Sequence, residues 1–310
     1  MELIEIKSLK VTFPTEAGLV RSVDCVDLQL GAREKLGLIG ETGSGKSVLA
    51  HATLRLLQPD ALCEGEILYQ GRNLLDCTPT ELRRLRGREL ALIPQNPSRA
   101  LNPLQTVGKQ LFETLRQAGY SKKEAVAKMP ELLRSVGAID PDSWAKAYPH
   151  ECSGGMCERI VIALSLAFSP SLLLADEPTK GLDSLNRARI ITLLGEVTEN
   201  RALLFITHDL EAAALLCTRL ALMYAGELVE LGDKAAVFEN PLHPYTRGLL
   251  FALPARGMQP IPGRSPPLTA LPDGCRFHSR CPEAIARCRS QHPPLFDTGN
   301  GHFCRCWLYV

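Results

Sequence analysis

With 35 basic and 34 acidic side chains in 310 residues, the chain carries a net charge of +1, so its bulk charge gives no case for a nucleic-acid partner. A hydrophobic content of 45% is ordinary for a soluble globular protein, and the length allows one large domain or two modest ones. No apolar run is long enough to span a bilayer: Ile160–Phe168 is about half the required length, and Leu210–Ala225 is interrupted by Glu211 and Arg219.

The start, Met1-Glu2-Leu3-Ile4-Glu5, lacks a basic segment followed by an apolar core, so a cytoplasmic location is expected, with the 11 cysteines kept reduced. Leu3–Val11 and Val23–Leu30 alternate loosely and predict strands around a turn at residues 15–18. Lys35–Ile39 reads as a buried strand and Val48–Leu57 as a helix, with Gly40-Glu41-Thr42-Gly43-Ser44-Gly45-Lys46-Ser47 between them. Gly65–Gly71 predicts a further strand, and Leu90–Pro94 a short buried one ending at Gln95. Val107–Ala147 is patterned as helix until Tyr148-Pro149-His150 breaks it, and Ser153–Phe168 is a second helix. Leu172–Ala175 and Ala202–Thr207 read as fully buried strands. Strands alternating with helices predict an α/β fold around a mostly parallel sheet. From Pro241 to Pro272, eight prolines mark the start of an appendage too broken for a large core of its own.

The residues 40–47 spell G-x-x-x-x-G-K-S between a strand and a helix, the pattern of a phosphate loop. Its glycines allow successive backbone N–H groups to face phosphate oxygens, and the helix start adds positive potential. Lys46 is the candidate for the β- and γ-phosphates of a nucleoside triphosphate, and Ser47 for Mg²⁺. Asp176 and Glu177 end a buried strand, where ligands bind in such sheets. Asp176 is placed to hold Mg²⁺ and Glu177 to act as general base toward water. Gln95 and His208 end strands too and are expected on the same rim, Gln95 binding water and metal, His208 donating to the γ-phosphate.

In this order, Gly40–Ser47, Gln95, Cys152-Ser153-Gly154-Gly155-Met156, Leu172–Glu177, Gly181-Leu182-Asp183 and His208 resemble the ATP-binding cassette (ABC) ATPases of membrane transporters. The resemblance implies a cassette fold: a phosphate-loop core, an antiparallel β subdomain, and a helical subdomain at residues 96 to about 150. It also implies ATP and Mg²⁺ as ligands, with hydrolysis at the interface of two cassettes. Ser153, Gly154 and Gly155 then open a helix that contacts the γ-phosphate held by the opposite cassette, and Asp183 links the two sites. Phe13 is the family's candidate for stacking on adenine, with strand packing the competing role. Asn96–Pro103, His243-Pro244-Tyr245-Thr246-Arg247, Gly274–Phe277 and Arg280-Cys281-Pro282 narrow the likeness to the ATPases of peptide and nickel importers. Residues 1–240 form the expected ATPase domain and 241–310 the C-terminal extension.

That likeness implies a peripheral protein on the cytoplasmic face of the inner membrane, with two permease subunits, an extracytoplasmic binding protein and a second cassette as partners. Di- or oligopeptides are the first expected cargo, and nickel or a metal chelate the second. A soluble cassette of translation or repair, or a regulatory cassette that no longer turns over, is a rival reading. Cys152, Cys157-Glu158 and Lys180-Gly181 depart from the family's usual Leu, Arg-Gln and Thr-Ala. A carboxylate at Glu158 is expected to weaken the second half-site, which favours a paralogous partner over a second copy. Cys275, Cys281, Cys288 and Cys306 in the tail offer four thiolates, Cys304 being the spare. Short C-x2-4-C zinc pairs are absent, and some importers of this family carry a four-iron (4Fe-4S) cluster, so a cluster is expected ahead of zinc or unliganded thiols.

Overall fold

The computed structural model describes residues 2–310, and the chain divides into two compact units: residues up to 76 together with 205–310, and residues 77–204. The first unit opens with a long hairpin, β1 (Glu2–Thr15) against β2 (Gly18–Gly31). Ile4, Ile6, Leu9 and Val11 are buried with Val23, Val26, Leu28 and Leu30. Then come β3 (Lys35–Ile39), helix α1 (Lys46–Thr53), β4 (Leu62–Tyr69) and β5 (Arg72–Asn73). The antiparallel order β2-β1-β4-β5 is the β subdomain expected from the sequence. α1 stops short of the predicted Leu57 because Arg55 takes a left-handed backbone, φ 50°.

The second unit begins with α2 (Pro79–Leu85), which the periodicity did not reveal and which a Thr78–Glu81 capping box starts. β6 (Leu90–Ile93) and α3 (Pro97–Ala100) follow. The single helical stretch predicted over 107–147 is three helices: α4 (Val107–Gln117), α5 (Lys122–Ser135) and α6 (Pro141–Lys146). Local chemistry makes the cuts. Thr106, Ser121 and Asp140 cap the three starts, and Gly119 and Gly137, at φ 106° and 83°, turn the chain after α4 and α5. α7 (Gly154–Leu166) leads to β7 (Leu172–Asp176), which runs parallel to β6, and then to α8 (Ser184–Val197). β8 (Ala202–Thr207), buried throughout, carries the chain from the second unit into the first.

Back in the first unit, the apolar run at 210–225 splits into α9 (Leu210–Leu216) and β9 (Arg219–Tyr224), and β9 turns through Ala225-Gly226 into β10 (Glu227–Asp233). Both turn residues have positive φ, 45° and 88°, the geometry that matches the twist of a tight hairpin. α10 (Lys234–Glu239), α11 (Pro244–Phe251), α12 (Arg287–Ser290), β11 (Phe296–Asp297) and β12 (Phe303–Cys304) complete the chain. Within this unit the strand order is β11-β12-β10-β9-β3, where only β3 and β9 are parallel. The tail thus hydrogen-bonds into the sheet through β12 on β10.

Buried polar groups fix the tail to its own unit. Glu230, fully buried, accepts the Leu242 and His243 backbone N–H groups at 2.9 and 2.8 Å and faces His302 Nε2 at 2.8 Å. Arg276 pairs with Asp24 and donates to the Ala225 carbonyl at 2.6 Å. The His243 ring accepts the Tyr245 N–H at 3.0 Å and so caps α11, while Pro244 fills the first helical position.

Two buried titratable groups bias stability in opposite directions. Burial pushes His243 down to about 4 from 6.5, against the opposing pull of Glu230 and Glu227. Its contribution is therefore present above pH 6.5 and is lost as pH falls toward 4, about 3 kcal/mol in all. Burial pushes Glu158 up to about 8 from 4.5, and its Oε1 has no hydrogen-bond partner. Its contribution is full below pH 4.5 and is lost as pH rises toward 8, on the order of 5 kcal/mol. His243→Asn, which keeps a capping acceptor, should flatten the fall of Tm between pH 6.5 and 4 in scanning calorimetry. Glu158→Gln should gain Tm over the unaltered chain as pH rises from 5 to 8; a constant difference across that range would refute the buried, neutral carboxyl.

Candidate functional site

In the first unit the phosphate loop wedges between β2 and β9. A Cβ on Gly40 would lie 2.1 Å from the Met223 carbonyl oxygen, and one on Gly45 2.0 Å from that of Ser22. Gly45 also has φ 102°, so both the space and the backbone angle require glycine there. Lys46 is buried and curls back on the loop, its Nζ donating to the Gly40 and Glu41 carbonyls at 2.8 Å each. α1 has no acidic residue in its first turn, which leaves its N-terminal potential positive. Loop and helix start together form a cradle for an anion. His208, also in this unit, follows β8 and is exposed, next to Asp209, which caps α9. Phe13 is half-buried in β1 opposite Val20, outside the unit's main core.

Two side chains of the C-terminal segment, Tyr245 and Arg280, also reach this loop. The Glu41 N–H donates to the Tyr245 hydroxyl at 2.9 Å, and the Glu41 carboxylate takes both arms of the Arg280 guanidinium. The two motifs that contain them, His243–Arg247 and Arg280–Pro282, were visible; their approach to residue 41 was not.

The second unit holds the other candidates. The pairing Leu90↔Leu172 to Ile93↔Ala175 makes β6 and β7 parallel and level, so Gln95 and Asp176-Glu177 leave the pair at the same end. Asp176 and Glu177 are buried, and Glu177 has φ 50°, the left-handed region. A non-glycine residue there carries backbone strain, a feature concentrated at functional sites. Ser153 caps α7, accepting the Met156 N–H at 3.3 Å; Ser153 and Gly154 are exposed, while Gly155 is buried beside Asn186. Asp183 caps α8 and accepts from the Asn186 N–H and Nδ2 at 2.9 and 2.6 Å, bonds that hold its carboxyl below the usual range. The exposed Ser153, Gly154 and Asp183 present hydrogen-bonding groups outward. Glu158 corrects the sequence reading: it is buried and neutral, not a carboxylate facing a phosphate. Cys157 is buried as well, its thiol directed at the Pro149 carbonyl at 3.6 Å.

All 11 cysteines are free thiols. Burial pushes Cys275 up to about 12 and Cys306 up to about 11, and Cys288 adds to both shifts. Cys281 is raised by burial too, with Glu283 and Cys288 contributing. Among the described residues no group of three or more His, Cys, Asp or Glu side chains is already arranged to hold a metal ion. Cys304, the spare thiol, is fully buried and packs with Leu242 and Cys306.

The ABC transporter family model matches residues 23–180, and the model of the oligopeptide/dipeptide transporter C-terminal region matches residues 229–288. The oligopeptide transport ATP-binding protein OppD of Escherichia coli is 42% identical, over 99% of this chain and 94% of that protein. The probable peptide ABC transporter ATP-binding protein y4tR of Sinorhizobium fredii is 41% identical over 98% and 94%, and the dipeptide transport ATP-binding protein DppD of Lactococcus lactis 40% over 99% and 91%. Among solved structures, the cassette MJ0796, a dimer in a post-hydrolysis state bound to ADP and phosphate, superposes with a TM-score of 0.67 at 25% identity, over 74% of this chain and 98% of that one. With its phosphate loop, its strained carboxylate strand end and the C-terminal region of peptide transporters, this chain belongs to the ATP-binding cassette family of transporter ATPases.

Proposed function

We propose that this ATPase powers the import of di- or oligopeptides through a membrane permease. What carries the peptide reading is the match of residues 229–288 to the C-terminal region of oligopeptide/dipeptide transporters, on a chain similar to such proteins over nearly its whole length. The partners in this reading are two permease subunits, an extracytoplasmic binding protein and a second cassette, with the chain peripheral on the cytoplasmic face of the inner membrane. None of its described helices is long and apolar enough to cross a bilayer, in keeping with separate permease chains. Residues 1–240 act as the ATPase domain, 96 to about 150 as its helical subdomain, and 241–310 as the extension. The second cassette is proposed to be a paralogue. At positions 157 and 158 this chain has a buried thiol and a buried neutral carboxyl in place of a cation and an amide, so its own half-site relies on Ser153 and the backbone N–H groups of Gly154 and Gly155.

In the proposed mechanism, Gly40–Ser47 wrap the triphosphate with backbone N–H groups, and Lys46 leaves its loop carbonyls to pair with the β- and γ-phosphates. Ser47, Asp176 and Gln95 would hold Mg²⁺, whose charge offsets that of the phosphate oxygens. Glu177 takes the proton of the attacking water as its oxygen bonds to the γ-phosphorus and the bond to ADP breaks. His208 donates to a γ-phosphate oxygen, and Phe13 stacks on adenine. Ser153, Gly154 and Gly155 close on the γ-phosphate of the opposite cassette, and Asp183 joins the two sites. The left-handed backbone at Glu177 supports this assignment, since strain of that kind persists where it holds a reactive group in position.

In the assembled transporter, Glu177→Gln should lower ATP turnover by about 10²-fold or more while nucleotide binding persists. Turnover near that of the unaltered protein would move the general base elsewhere. A 4Fe-4S cluster on Cys275, Cys281, Cys288 and Cys306 also belongs to the proposal. Cys288 contributes to raising the pKa of Cys275, Cys281 and Cys306, so the four share one neighbourhood; binding iron has to draw them together and remove their protons. Anaerobically purified protein should then contain iron and acid-labile sulfide in equal amounts, and Cys281→Ser should lose both. Zinc alone, or no metal, would remove the cluster and leave the ATPase untouched.

A further inference from the structure

A carboxylate in a phosphate loop is an electrostatic anomaly, because the ligand it borders is a polyanion. Glu41 is that carboxylate, one residue past Gly40. Three points of the tail converge on it. Arg280 presents its fork, Nη1 to Oε2 and Nη2 to Oε1, both at 2.9 Å, the bidentate geometry that makes such pairs strong. Ser265 donates its hydroxyl to Oε2 at 2.8 Å, and the Tyr245 hydroxyl takes the Glu41 N–H. The guanidinium is itself held in place. Its Nε donates to the Pro262 carbonyl at 2.9 Å, it lies over the rings of Tyr224 and Phe277, and its side chain is only 5% exposed. Burial raises the Glu41 carboxyl, but the bonds from Arg280 and Ser265 and the charges of Arg280 and Lys46 outweigh it and leave the group below its ordinary value. Glu41 is therefore ionised, and its charge is balanced from the tail.

We propose that Arg280 is a positioning residue for nucleotide binding: by closing its fork on Glu41 it cancels the negative charge of the phosphate loop and fixes the loop's first turn, so that ATP affinity depends on the C-terminal tail. The proposal rests on residues 40–47 being the nucleotide site and goes beyond it by giving the tail a share in that site. A tail that served only stability would set Tm without selecting among charges at residue 41. Charge cancellation makes a different demand, because removing the carboxylate should repair the loss of the guanidinium.

The test is MgATP titration calorimetry on the full-length chain, with Tm measured in parallel. Arg280→Ala should weaken MgATP binding by about tenfold or more, through an uncompensated carboxylate beside the phosphates. The double variant Arg280→Ala with Glu41→Gln should recover most of that affinity. Arg280→Lys keeps the charge and loses the fork, so it should fall between, and it serves if the alanine variant fails to fold. Glu41→Gln alone should tighten binding, since Arg280 is then left facing the nucleotide. Unchanged affinity in Arg280→Ala or Arg280→Lys, or a double variant as weak as the single, would overturn the proposal while leaving the nucleotide site intact. An unaltered chain that does not bind MgATP would overturn the site itself.

Discussion

The first unit depends on how closely the phosphate loop passes the carbonyls of Ser22 and Met223. No side chain fits in either gap, so Gly40 and Gly45 are fixed by contact as much as by the need to face a ligand. The loop is thereby clamped between the β2 hairpin strand and β9, and whatever holds those two strands also holds the loop. Asp24 on β2 and Ala225 after β9 are both bonded to Arg276 of the tail. The extension therefore belongs to the frame of the loop, not only to the end of the chain.

A single electrostatic pattern runs through this frame. Glu230 and Glu227 sit almost fully buried on β10, where an unpaired carboxylate would be costly. The chain surrounds them with partners from the tail: backbone N–H groups of Leu242 and His243 and the His302 ring on Glu230, and the His292 ring and the charge of Arg276 on Glu227. Removing one member of such a set leaves the others buried without partners, so the tail and β10 stand or fall together. Proline-rich and without a large core, the tail is held by polar bonds and by a small aromatic cluster of Tyr224, Tyr245 and Phe277.

In the second unit the controlling feature is the level, parallel pairing of β6 and β7. Parallel strands end together, and so Gln95 and Glu177, 82 positions apart in the chain, leave the sheet at one edge. The left-handed backbone at Glu177 then turns the chain out of the strand within one residue. Glu158 shows the opposite case. Its place on α7 suggested a charge at the half-site, but a helix has an inner and an outer face, and burial on the inner one leaves the group neutral.

What the sequence determined by itself is what local spacing can encode. The phosphate loop, the strand ends that carry Gln95, Asp176 and His208, the signature Ser153-Gly154-Gly155 and the α/β alternation are all short-range patterns, each readable from neighbours in the chain. Caps at Thr106, Ser121 and Asp140 were equally local and could have divided the helical stretch into its three helices. The β9–β10 hairpin was less legible, because both strands are buried and lack alternation. Only the tertiary structure decided which way Glu158 faces and that Arg280 meets Glu41 across 239 positions. Those outcomes depend on burial and on long-range approach, and no periodicity or spacing along one chain records which distant side chain will supply the opposite charge.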